Sequence, residues 1–463
     1  MKHVHLIGIG GSGLSAIALF LKERGYYVTG SDRVLSPLAA QLVGEGITVY
    51  AGHDPANVRG ADVVIRSSAV PAENPEVQAA LAAGIPVLKR QEYLSQLCGE
   101  QKVLAIAGTH GKTTTTAMLA WVLTRLNYDP SYLIGGVSKN LGRNAHAGRG
   151  EWFVIEADEY DYMFLGLEPA MIILTTVEHD HPDCFPTPES YLNAFGQFIG
   201  RLQSGGVVIA NADNSAAAQL AQNFRQKGGS CLTYGLQTPA DAGVKIVGIN
   251  ELGGFDFEIV FNEEDQSAQS IRAGLQVPGT HNVMNAAAVL TACKWLGISL
   301  DQAAGALAEF SGTGRRFDVL GEANGVIVID DYAHHPTEVN ATLSAARARY
   351  PQRRIWAVWQ PHTYSRTLAL MDGFTRAFQM ADEVVVTEVY AAREKNEGFS
   401  AAQVVSQMFH PSVRFIPTIK ESTEFLLQNL QKGDVVLVLS AGDADQISAQ
   451  VFSALKEREL ADV

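Results

Sequence analysis

Cysteine, positive charge and long apolar runs are all scarce in this sequence. Its four cysteines, Cys98, Cys184, Cys231 and Cys293, lie far apart and form no C-x-x-C pair. We therefore expect neither a disulfide framework nor a zinc site built from clustered thiolates. No apolar run approaches the ~18 residues of a membrane-spanning helix, and the opening segment MKHVHLIGIGG lacks the basic region of a secretory signal. These absences predict a protein of the reducing cytoplasm, with no membrane as a partner.

The charge balance is acidic. Thirty-five Lys and Arg face 49 Asp and Glu, which leaves a formal net charge of -14. A nucleic-acid surface needs a basic patch to neutralise phosphates, so we expect no nucleic-acid partner. A small anion can still bind in a locally positive pocket. The length of 463 residues, 47% of them hydrophobic, leaves room for about three domains.

Short apolar runs alternate with helical patterns along most of the chain, which is typical of β–α–β units around parallel sheets. One alternation begins at HVHLIGI, a second at KVLAIAG and a third at NGVIVIDDYA, where a helix is predicted from Pro336 to about Arg349. The pattern breaks near residue 100 and again at SGTGRR. We therefore predict an α/β protein of three domains, over residues 1–100, 101–312 and 313–463. The polar, β-rich stretch 233–273 is expected to form a peripheral sheet.

The first glycine motif follows the first strand. Gly8, Gly10 and Gly13 form G-x-G-x-x-G ahead of a helix, and Asp32 lies near the end of the next strand. Such glycines let backbone N–H groups approach a pyrophosphate at the helix N-terminus. By itself the motif fits NAD, another nucleotide diphosphate, or a tight turn with no ligand.

The second glycine motif, GTHGKT, also joins a strand to a helix. Backbone N–H groups of such a loop hold phosphates, Lys112 reaches the outer phosphates, and the Thr113 hydroxyl can bind Mg²⁺. The longer standard motif has glycine where this chain has Ile106, so the loop is a shorter variant. A chance G-K-T at a helix start is the alternative. The preceding apolar strand favours ATP binding.

Two acidic clusters follow later strands. One holds Glu156, Asp158, Glu159 and Asp161, and the other holds His181 with its neighbours Glu178, Asp180 and Asp183. The carboxyl ends of parallel strands face the ligand, so both clusters are expected at the phosphate loop. Oxygen ligands with one imidazole suit Mg²⁺ or Mn²⁺. The alternative is that these are solvated loop carboxylates.

Two further strings carry polar groups at helix starts. GTHNVMN places His281, Asn282 and Asn285 close together on one helix, although Asn282 alone fits a helix cap. DDYAHHP ends a strand with His334 and His335. A metal site there lacks a third ligand within the string, so anion or carboxylate recognition is favoured.

In this order, the motifs resemble those of the Mur ligase family, the ATP-dependent amide-forming enzymes of peptidoglycan synthesis. The similarity runs essentially end to end. It is carried by the strings GIGGSGLSAIA, GSD, AGTHGKTTTT, IEADEYD, DHPD, GTHNVMN, DDYAHHPTE and QPHTYSRT. The resemblance implies a Rossmann-like N-terminal domain, a P-loop-type central ATPase domain and a Rossmann-like C-terminal domain.

The resemblance also implies a role for each motif. The first domain is expected to bind the UDP-sugar rather than NAD, through Gly8, Gly10, Gly11, Ser12, Gly13, Asp32, Ser67 and Ser68. ATP is expected at Gly108, Thr109, His110, Gly111, Lys112, Thr113, Thr114, His281, Asn282, Asn285, Arg316 and Asp331. The metal residues are then Thr113, Glu156 and His181. The catalytic residues are Lys112, Glu156, His181, His334 and Arg366, with Tyr332 beside the muramoyl carboxylate and the amino acid.

The implied reaction joins L-alanine to the carboxylate of UDP-N-acetylmuramate through an acyl phosphate, with ATP and Mg²⁺ or Mn²⁺. Positive charge from Lys112, the metal and His334 is expected to hold the oxyanion that develops during amide formation. Family members that add later residues carry a carbamylated lysine where this chain has Phe195, which favours the L-alanine type. Local departures from the family pattern are Tyr160, Thr176 and Ala391.

Other functions are weighed against this one. The nearest alternative is a ligase that recycles a ready-made tripeptide. A nicotinamide-dependent dehydrogenase with an added NTPase domain and a non-catalytic UDP-sugar sensor are less favoured. A monomer or weak homodimer is expected.

Overall fold

The computed structural model describes residues 2–262, 268–392, 394–396 and 398–461. Three β-sheets follow one another along the chain, and helices cover them. The predicted alternation of strands and helices therefore appears three times. In the described part of the chain, no helix is both long enough and apolar enough to cross a membrane.

The first sheet has five parallel strands in the order β3-β2-β1-β4-β5. Its apolar core strand, β1, is buried at four of five positions, so helices cover both of its faces. The elements are β1 (His3–Ile7), α1 (Ser12–Glu23), β2 (Tyr27–Asp32), α2 (Pro37–Gly44), β3 (Thr48–Ala51), β4 (Val63–Arg66), α3 (Pro75–Ala82), β5 (Val87–Lys89) and α4 (Arg90–Cys98).

The central sheet has ten strands, and its parallel core surrounds the strand that leads into the phosphate loop. The elements are β6 (Lys102–Ala107), α5 (Lys112–Arg125), β7 (Ser131–Ser138), β8 (Arg143–His146), β9 (Trp152–Glu156), β10 (Pro169–Leu174), α6 (Pro188–Ile199), β11 (Val207–Asn211), α7 (Ser215–Gln226), β12 (Ser230–Gly235), β13 (Ala242–Ile249), β14 (Phe255–Asn262), β15 (Ala268–Gly274), α8 (Thr280–Trp295) and α9 (Leu300–Ala308). The strand order is β15-β14-β13-β12-β11-β10-β6-β9-β7-β8.

The prediction that residues 233–273 form a separate peripheral sheet is wrong. β12 pairs with β11 in parallel, and β13, β14 and β15 continue outward from it, so the stretch forms one edge of the central sheet. Alternating burial in β14 explains the polar pattern, because one face packs on the core and the other is more exposed.

The third sheet has six strands in the order β16-β17-β21-β18-β19-β20. The predicted helix from Pro336 to Arg349 is present, and its N-terminus directly follows the HH string. The elements are β16 (Asp318–Ala323), β17 (Val326–Asp331), α10 (Pro336–Arg349), β18 (Ile355–Trp359), α11 (Tyr364–Ala369), α12 (Met371–Arg376), β19 (Glu383–Val386), α13 (Ala402–Val405), β20 (Val413–Phe415), α14 (Ile419–Asn429), β21 (Val435–Leu439) and α15 (Asp445–Ala461).

The three parts are joined in different ways. One apolar core runs from the first sheet into the central one, where the rings of Phe20 and Phe153 lie 5.3 Å apart. Among the described residues, no apolar core cluster combines the central and third parts. These two meet at a connection where Thr313 bridges Ser138 and Arg316. The third part is therefore held to the central one mainly by polar contacts.

Candidate active site

The phosphate loop occupies the turn between β6 and α5. Gly108 has a φ of +135°, and a Cβ there would overlap Thr175 Oγ1. Gly111 has a φ of +80°, and a Cβ there would lie 2.6 Å from Asn285 Oδ1. Both positions require glycine because a side chain would meet neighbouring atoms in a left-handed backbone. The loop can therefore pass closely beneath a ligand.

Lys112 folds over this loop. Its Nζ donates hydrogen bonds to the carbonyls of Gly108, at 2.5 Å, and Thr109, at 3.1 Å. Glu159 Oε2 lies 2.9 Å from the same nitrogen and is buried. Burial alone would lower the pKa of Lys112, but the negative charge of Glu159 and its neighbours raises it. The ammonium is thus charged and lies at the loop, where phosphate oxygens would bind.

Glu159 belongs to the acidic cluster expected at the phosphate loop, but its pairing with Lys112 was not predicted. It lies within the IEADEYD string, and Tyr191 also donates a hydrogen bond to it, at 3.0 Å. Sequence spacing could not show which of the acidic side chains in that string points inward.

The predicted metal residues Thr113 and Glu156 are in contact. Thr113 Oγ1 donates to Glu156 Oε1 at 3.0 Å, and the Gly135 amide donates to Oε2 at 2.8 Å. Burial raises the pKa of Glu156, although Lys112 and Arg316 oppose the shift. A half-buried carboxylate beside a hydroxyl is a donor pair that fits Mg²⁺ or Mn²⁺. His181 lies further along, with Nε2 3.8 Å from Glu159 Oε1; its sharing of a metal ion with the other two stays a prediction.

A cavity beside the loop collects most of the residues predicted for ATP. Its lining includes His110, Gly111, Thr113, Thr114, His281, Asn282, Asn285, Arg316 and Asp331. Lys112, Gly108 and Thr109 do not line this cavity. Thr109 is turned inward, where its hydroxyl donates to the Glu178 carbonyl at 2.8 Å. The cavity therefore fits the base and sugar of a nucleotide, with the loop at one end.

The start of α8 shapes one wall of this cavity. Asn282 is not the helix cap, because α8 begins at Thr280 after Gly279. Its Nδ2 donates to the Pro278 carbonyl at 2.7 Å, and its Oδ1 accepts from Asn285 Nδ2 at 3.2 Å. Burial lowers the pKa of His281 to about 4, so this ring is neutral. The wall offers amide and imidazole groups without a net charge.

Asp331 connects the cavity to the joint between the central and third parts. Its Oδ2 accepts from the Phe317 amide at 2.6 Å and its Oδ1 from the Ala333 amide at 2.7 Å. Burial raises its pKa to about 6. Arg315 and Phe317 on this joint have positive φ angles of 58° and 46°. Asp331 thus braces a strained connection as well as lining the cavity.

Arg366 makes a buried contact across the joint. It is 4% exposed, and its Nε lies 2.8 Å from Asp180 Oδ1. Its terminal nitrogens also lie 3.0 Å from His362 Nδ1 and 3.3 Å from His181 Nδ1. Burial would raise the pKa of Asp180, but the Arg366 guanidinium holds it well below its usual range. Asp180 belongs to the acidic cluster expected at the phosphate loop, but its pairing with Arg366 was not predicted. His362 was not predicted as a site residue, because only the fold brings it to Arg366.

His334 lies near this group but carries no charge. Its Nδ1 donates to the Tyr332 carbonyl at 2.8 Å, and the His362 ring lies 6.1 Å away. Burial lowers the pKa of His334 to about 3. The prediction that His334 adds positive charge to the site is therefore wrong at neutral pH. A hydrogen-bonding role through Nε2 fits the geometry.

The first glycine loop lies apart from this group. Gly8 has a φ of +85°, and the Gly10 amide donates to Asp32 Oδ2 at 2.9 Å. The Gly11 amide donates to the Gly8 carbonyl, and Ser67 Cβ lies beside Gly8. Ser68 is exposed. The side chain of Ser12 lies outside the described part of the structure.

Arg90 is a residue of this loop region that sequence reasoning missed. A Cβ on Gly13 would overlap an Arg90 guanidinium nitrogen, so the cation covers the N-terminus of α1. Arg90 also pairs with Asp158 of the central part at 3.1 Å. The adjacent basic residues Lys89 and Arg90 at the carboxyl end of β5 were the available signal.

Comparison with known families and proteins accounts for nearly the whole chain. Residues 3–102 match the model described as Mur ligase family, catalytic domain, and residues 106–293 match the Mur ligase middle domain. Residues 315–442 match the model described as Mur ligase, glutamate ligase domain. The chain belongs to the Mur ligase family.

Individual Mur ligases are similar over their full lengths. A UDP-N-acetylmuramate–L-alanine ligase of Desulfosudis oleivorans is 41% identical, with 97% of this chain and 98% of the relative covered. One of the same name from Pelotomaculum thermopropionicum is 39% identical, over 99% and 98%. The crystal structure of a UDP-N-acetylmuramate–alanine ligase from Thermotoga maritima has a TM-score of 0.84 at 28% identity, covering 99% of this chain and 100% of that one.

A murein peptide ligase of Psychrobacter arcticus is also similar in structure, with a TM-score of 0.74 at 25% identity, over 98% and 99% of the two chains. These likenesses confirm the predicted three-domain α/β Mur ligase fold. In this Mur ligase, Phe195 is fully buried and packs edge-on against Phe164 and Tyr191.

Proposed function

We propose that this chain joins L-alanine to the carboxylate of UDP-N-acetylmuramate, with conversion of ATP to ADP and phosphate. This is the first step in building the peptide stem of peptidoglycan. The observation that carries the proposal is the joint between the central and third domains, where Arg366 reaches Asp180 and His181 beside the phosphate loop. The full-length similarity to L-alanine ligases at about 40% identity favours this reaction over tripeptide recycling.

The UDP-sugar is proposed to bind at the first glycine loop. The N-terminus of α1 offers backbone N–H groups to the diphosphate, and Arg90 adds a positive charge over Gly13. Because Arg90 also pairs with Asp158, the diphosphate site is connected to the central domain. The sugar carboxylate can then extend toward Lys112.

The first chemical step transfers the γ-phosphoryl group of ATP to the sugar carboxylate. A carboxylate oxygen forms a bond to the γ-phosphorus, the bond to the β,γ-bridging oxygen breaks, and ADP leaves. Lys112 and Arg316 stabilise negative charge on the transferred group. Mg²⁺ or Mn²⁺ held by Thr113 and Glu156, with His181 as a further ligand, neutralises phosphate charge when bound.

The second step forms the amide. The neutral amine of L-alanine attacks the acyl carbon, the carbon–oxygen bond to phosphate breaks, and phosphate leaves with the electron pair and takes up the proton that the amine nitrogen loses. Arg366 is the group proposed to hold the alanine carboxylate, and Asp180 and His181 fix its orientation. The unprotonated Nε2 of His334 accepts a hydrogen bond from the incoming amine.

Closure of the third domain is part of this mechanism. The ATP cavity takes walls from both sides of the joint, including Asn285 and Arg316. The polar joint and the absence of a shared apolar core among the described residues allow this domain to move. We place the domain boundaries near residues 100 and 313, and propose a cytoplasmic monomer or weak homodimer.

The test is phosphate release from ATP in the presence of Mg²⁺, with each substrate omitted in turn. Release that requires both UDP-N-acetylmuramate and L-alanine is expected, and glycine and L-serine are compared in the same assay. Turnover that needs no nucleotide sugar, or that NAD supports, would reject the proposal.

A further inference from the structure

A cluster of ligating side chains lies beside the phosphate loop, separate from the residues assigned to Mg²⁺. His110 is in the loop, Glu178 follows β10, and His335 precedes α10. Each offers one ligand atom, and these atoms all lie within 4.8 Å of one another. The sequence had suggested that the HH string lacks a third ligand, but the fold supplies two ligands from the central domain.

The His110 ring is oriented as a metal ligand would be. Its Nδ1 lies 3.0 Å from Glu338 Oε1, while its Nε2 contacts Glu178 Oε1. A carboxylate that accepts a hydrogen bond from one ring nitrogen directs the other nitrogen toward a metal and makes it more basic. Thr337 donates to the second oxygen of Glu178 at 3.2 Å, which leaves Oε1 facing the two imidazoles.

His335 contributes a buried ring with a spare nitrogen. It is 5% exposed, and its Nε2 has no hydrogen-bond partner in the described part of the protein. Its Nδ1 accepts a hydrogen bond from the Thr337 amide at 3.3 Å and lies 3.7 Å from Glu178 Oε1. The ring centroid lies 4.7 Å from that of His110. A buried polar atom without a partner is costly unless a ligand satisfies it.

We propose that His110, Glu178 and His335 form a binding site for a divalent ion of the Zn²⁺ type, with Glu338 as the carboxylate behind the His110 ligand. Two imidazoles and one carboxylate are a donor set that Zn²⁺, Co²⁺ and Ni²⁺ favour. Mg²⁺ prefers oxygen ligands alone. The site therefore takes a different ion from the pair formed by Thr113 and Glu156.

The charges of the cluster favour a divalent cation. The carboxylates of Glu178 and Glu338 contact the His110 ring at its two nitrogens. Their negative charge lies beside the proposed ion.

The ligands come from both sides of the movable joint. His110 and Glu178 belong to the central domain, whereas His335 and Glu338 belong to the third. An ion bound to all three ligands holds these domains together. If the proposed ligation cycle requires opening for product release, micromolar Zn²⁺ should slow turnover; this consequence alone rests on the proposed function.

The test titrates the purified full-length protein with Co²⁺, without ATP or substrates and in excess Mg²⁺ to fill the oxygen sites. One equivalent of Co²⁺ with the visible bands of a four-coordinate nitrogen–oxygen site is expected, displaced by Zn²⁺. His110→Ala and His335→Ala should abolish the bands, and Glu338→Gln should weaken binding about 10- to 100-fold.

Matched variants separate this site from others. Glu156→Gln, in the Mg²⁺ pair, and His410→Ala, a third-domain imidazole bound to main-chain carbonyls, should both keep the Co²⁺ spectrum. Glu178→Gln retains the size of the side chain and serves if an alanine variant does not fold. Bands that survive both histidine substitutions, bands lost in Glu156→Gln, or the lack of any tight equivalent would overturn the site. The Co²⁺ titration contains no ATP or substrate, so its outcome does not bear on whether the protein ligates L-alanine. The two proposals can therefore fail separately.

Discussion

The glycine loop of the first domain and the phosphate loop of the central domain follow the same local path, from a parallel strand through a glycine turn to a helix. In the first loop, residues 8–13 carry no charged side chain, and the cation over the helix comes from Arg90 on α4. In the central loop, Lys112 belongs to the loop itself and pairs with Glu159.

This difference corresponds to the tasks proposed for the two loops. A site that only binds a diphosphate needs backbone donors and a nearby positive charge. A site that transfers a phosphoryl group also needs a cation held where negative charge develops on the reacting oxygens. The central loop is also tied to the third domain through His110 and Glu338, whereas Arg90 connects the first loop to the central domain.

The largest expected effect separates the two cations. Lys112→Ala should lower kcat about a thousandfold, because it removes charge stabilisation from the phosphoryl group. Arg90→Ala should raise KM for UDP-N-acetylmuramate about tenfold with kcat nearly unchanged, because it removes binding alone. Steady-state kinetics measures both. A kcat defect in Arg90→Ala as large as that of Lys112→Ala would remove the distinction between the loops.

The first and central domains each contain a buried carboxylate. We expect the one in the first domain to support folding stability and the one in the central domain to support catalysis. Glu76 is fully buried in the first domain and accepts hydrogen bonds from Ser31 and Asn57. Burial would raise its pKa, but His5 and the hydrogen bonds lower it from 4.5 to about 2. This lowering corresponds to about 3 kcal/mol of folding free energy. Glu159, in contrast, pairs with Lys112.

The sign of this shift sets a pH test. The Glu76 contribution is present in full above pH 4.5 and is lost as the pH falls toward 2. Glu76→Gln should therefore speed amide exchange in β1 and β2 at pH 6, and the gap from wild type should shrink below pH 4.5. Glu159→Gln should leave exchange in those strands unchanged and lower kcat. If the difference in amide exchange between Glu76→Gln and wild type were as large below pH 4.5 as at pH 6, the ionised Glu76 carboxylate would not be the cause of the stabilisation.

The joint of the central and third domains should be sensitive to Asp180. Asp180→Asn leaves the buried Arg366 without its charge partner, so kcat/KM for L-alanine should fall about a hundredfold, with KM for the nucleotide sugar unchanged. Asp183→Asn is the matched control on the same loop, because Asp183 is exposed and contacts Tyr160. A uniform rise in every KM would indicate a general loss of structure instead.

A pair of glycine substitutions gives the smallest contrast. Gly111→Ala must adopt a φ of +80° and meets Asn285, so KM for ATP should rise at least about tenfold. In Gly13→Ala the new Cβ meets only the flexible end of Arg90, so KM for the nucleotide sugar should rise a few-fold. Melting temperatures report whether either variant is misfolded. The reverse order of effects would show that the first loop is the more constrained one.

Local motifs were predictable from sequence, and long-range partners were not. Lys112 and Thr113 lie in one short string, so their neighbourhood follows from the strand–turn–helix pattern. Arg366 and Asp180 are 186 positions apart, and only the folded chain brings them together. Arg90 and the pairing of Glu159 with Lys112 were missed for the same reason. The stretch 233–273 showed its strands but not its place in the sheet, because the local pattern does not show that β12 pairs with β11 and so joins the central sheet.

The most direct test of the ligation itself is a competition between amino donors. Wild-type protein is incubated with ATP, Mg²⁺, UDP-N-acetylmuramate and equal concentrations of L-alanine and the recycling tripeptide, and the products are identified by mass. The account predicts that nearly all the product carries a single alanine residue. A product carrying mainly the tripeptide, or hydrolysis of ATP without any amide, would contradict it.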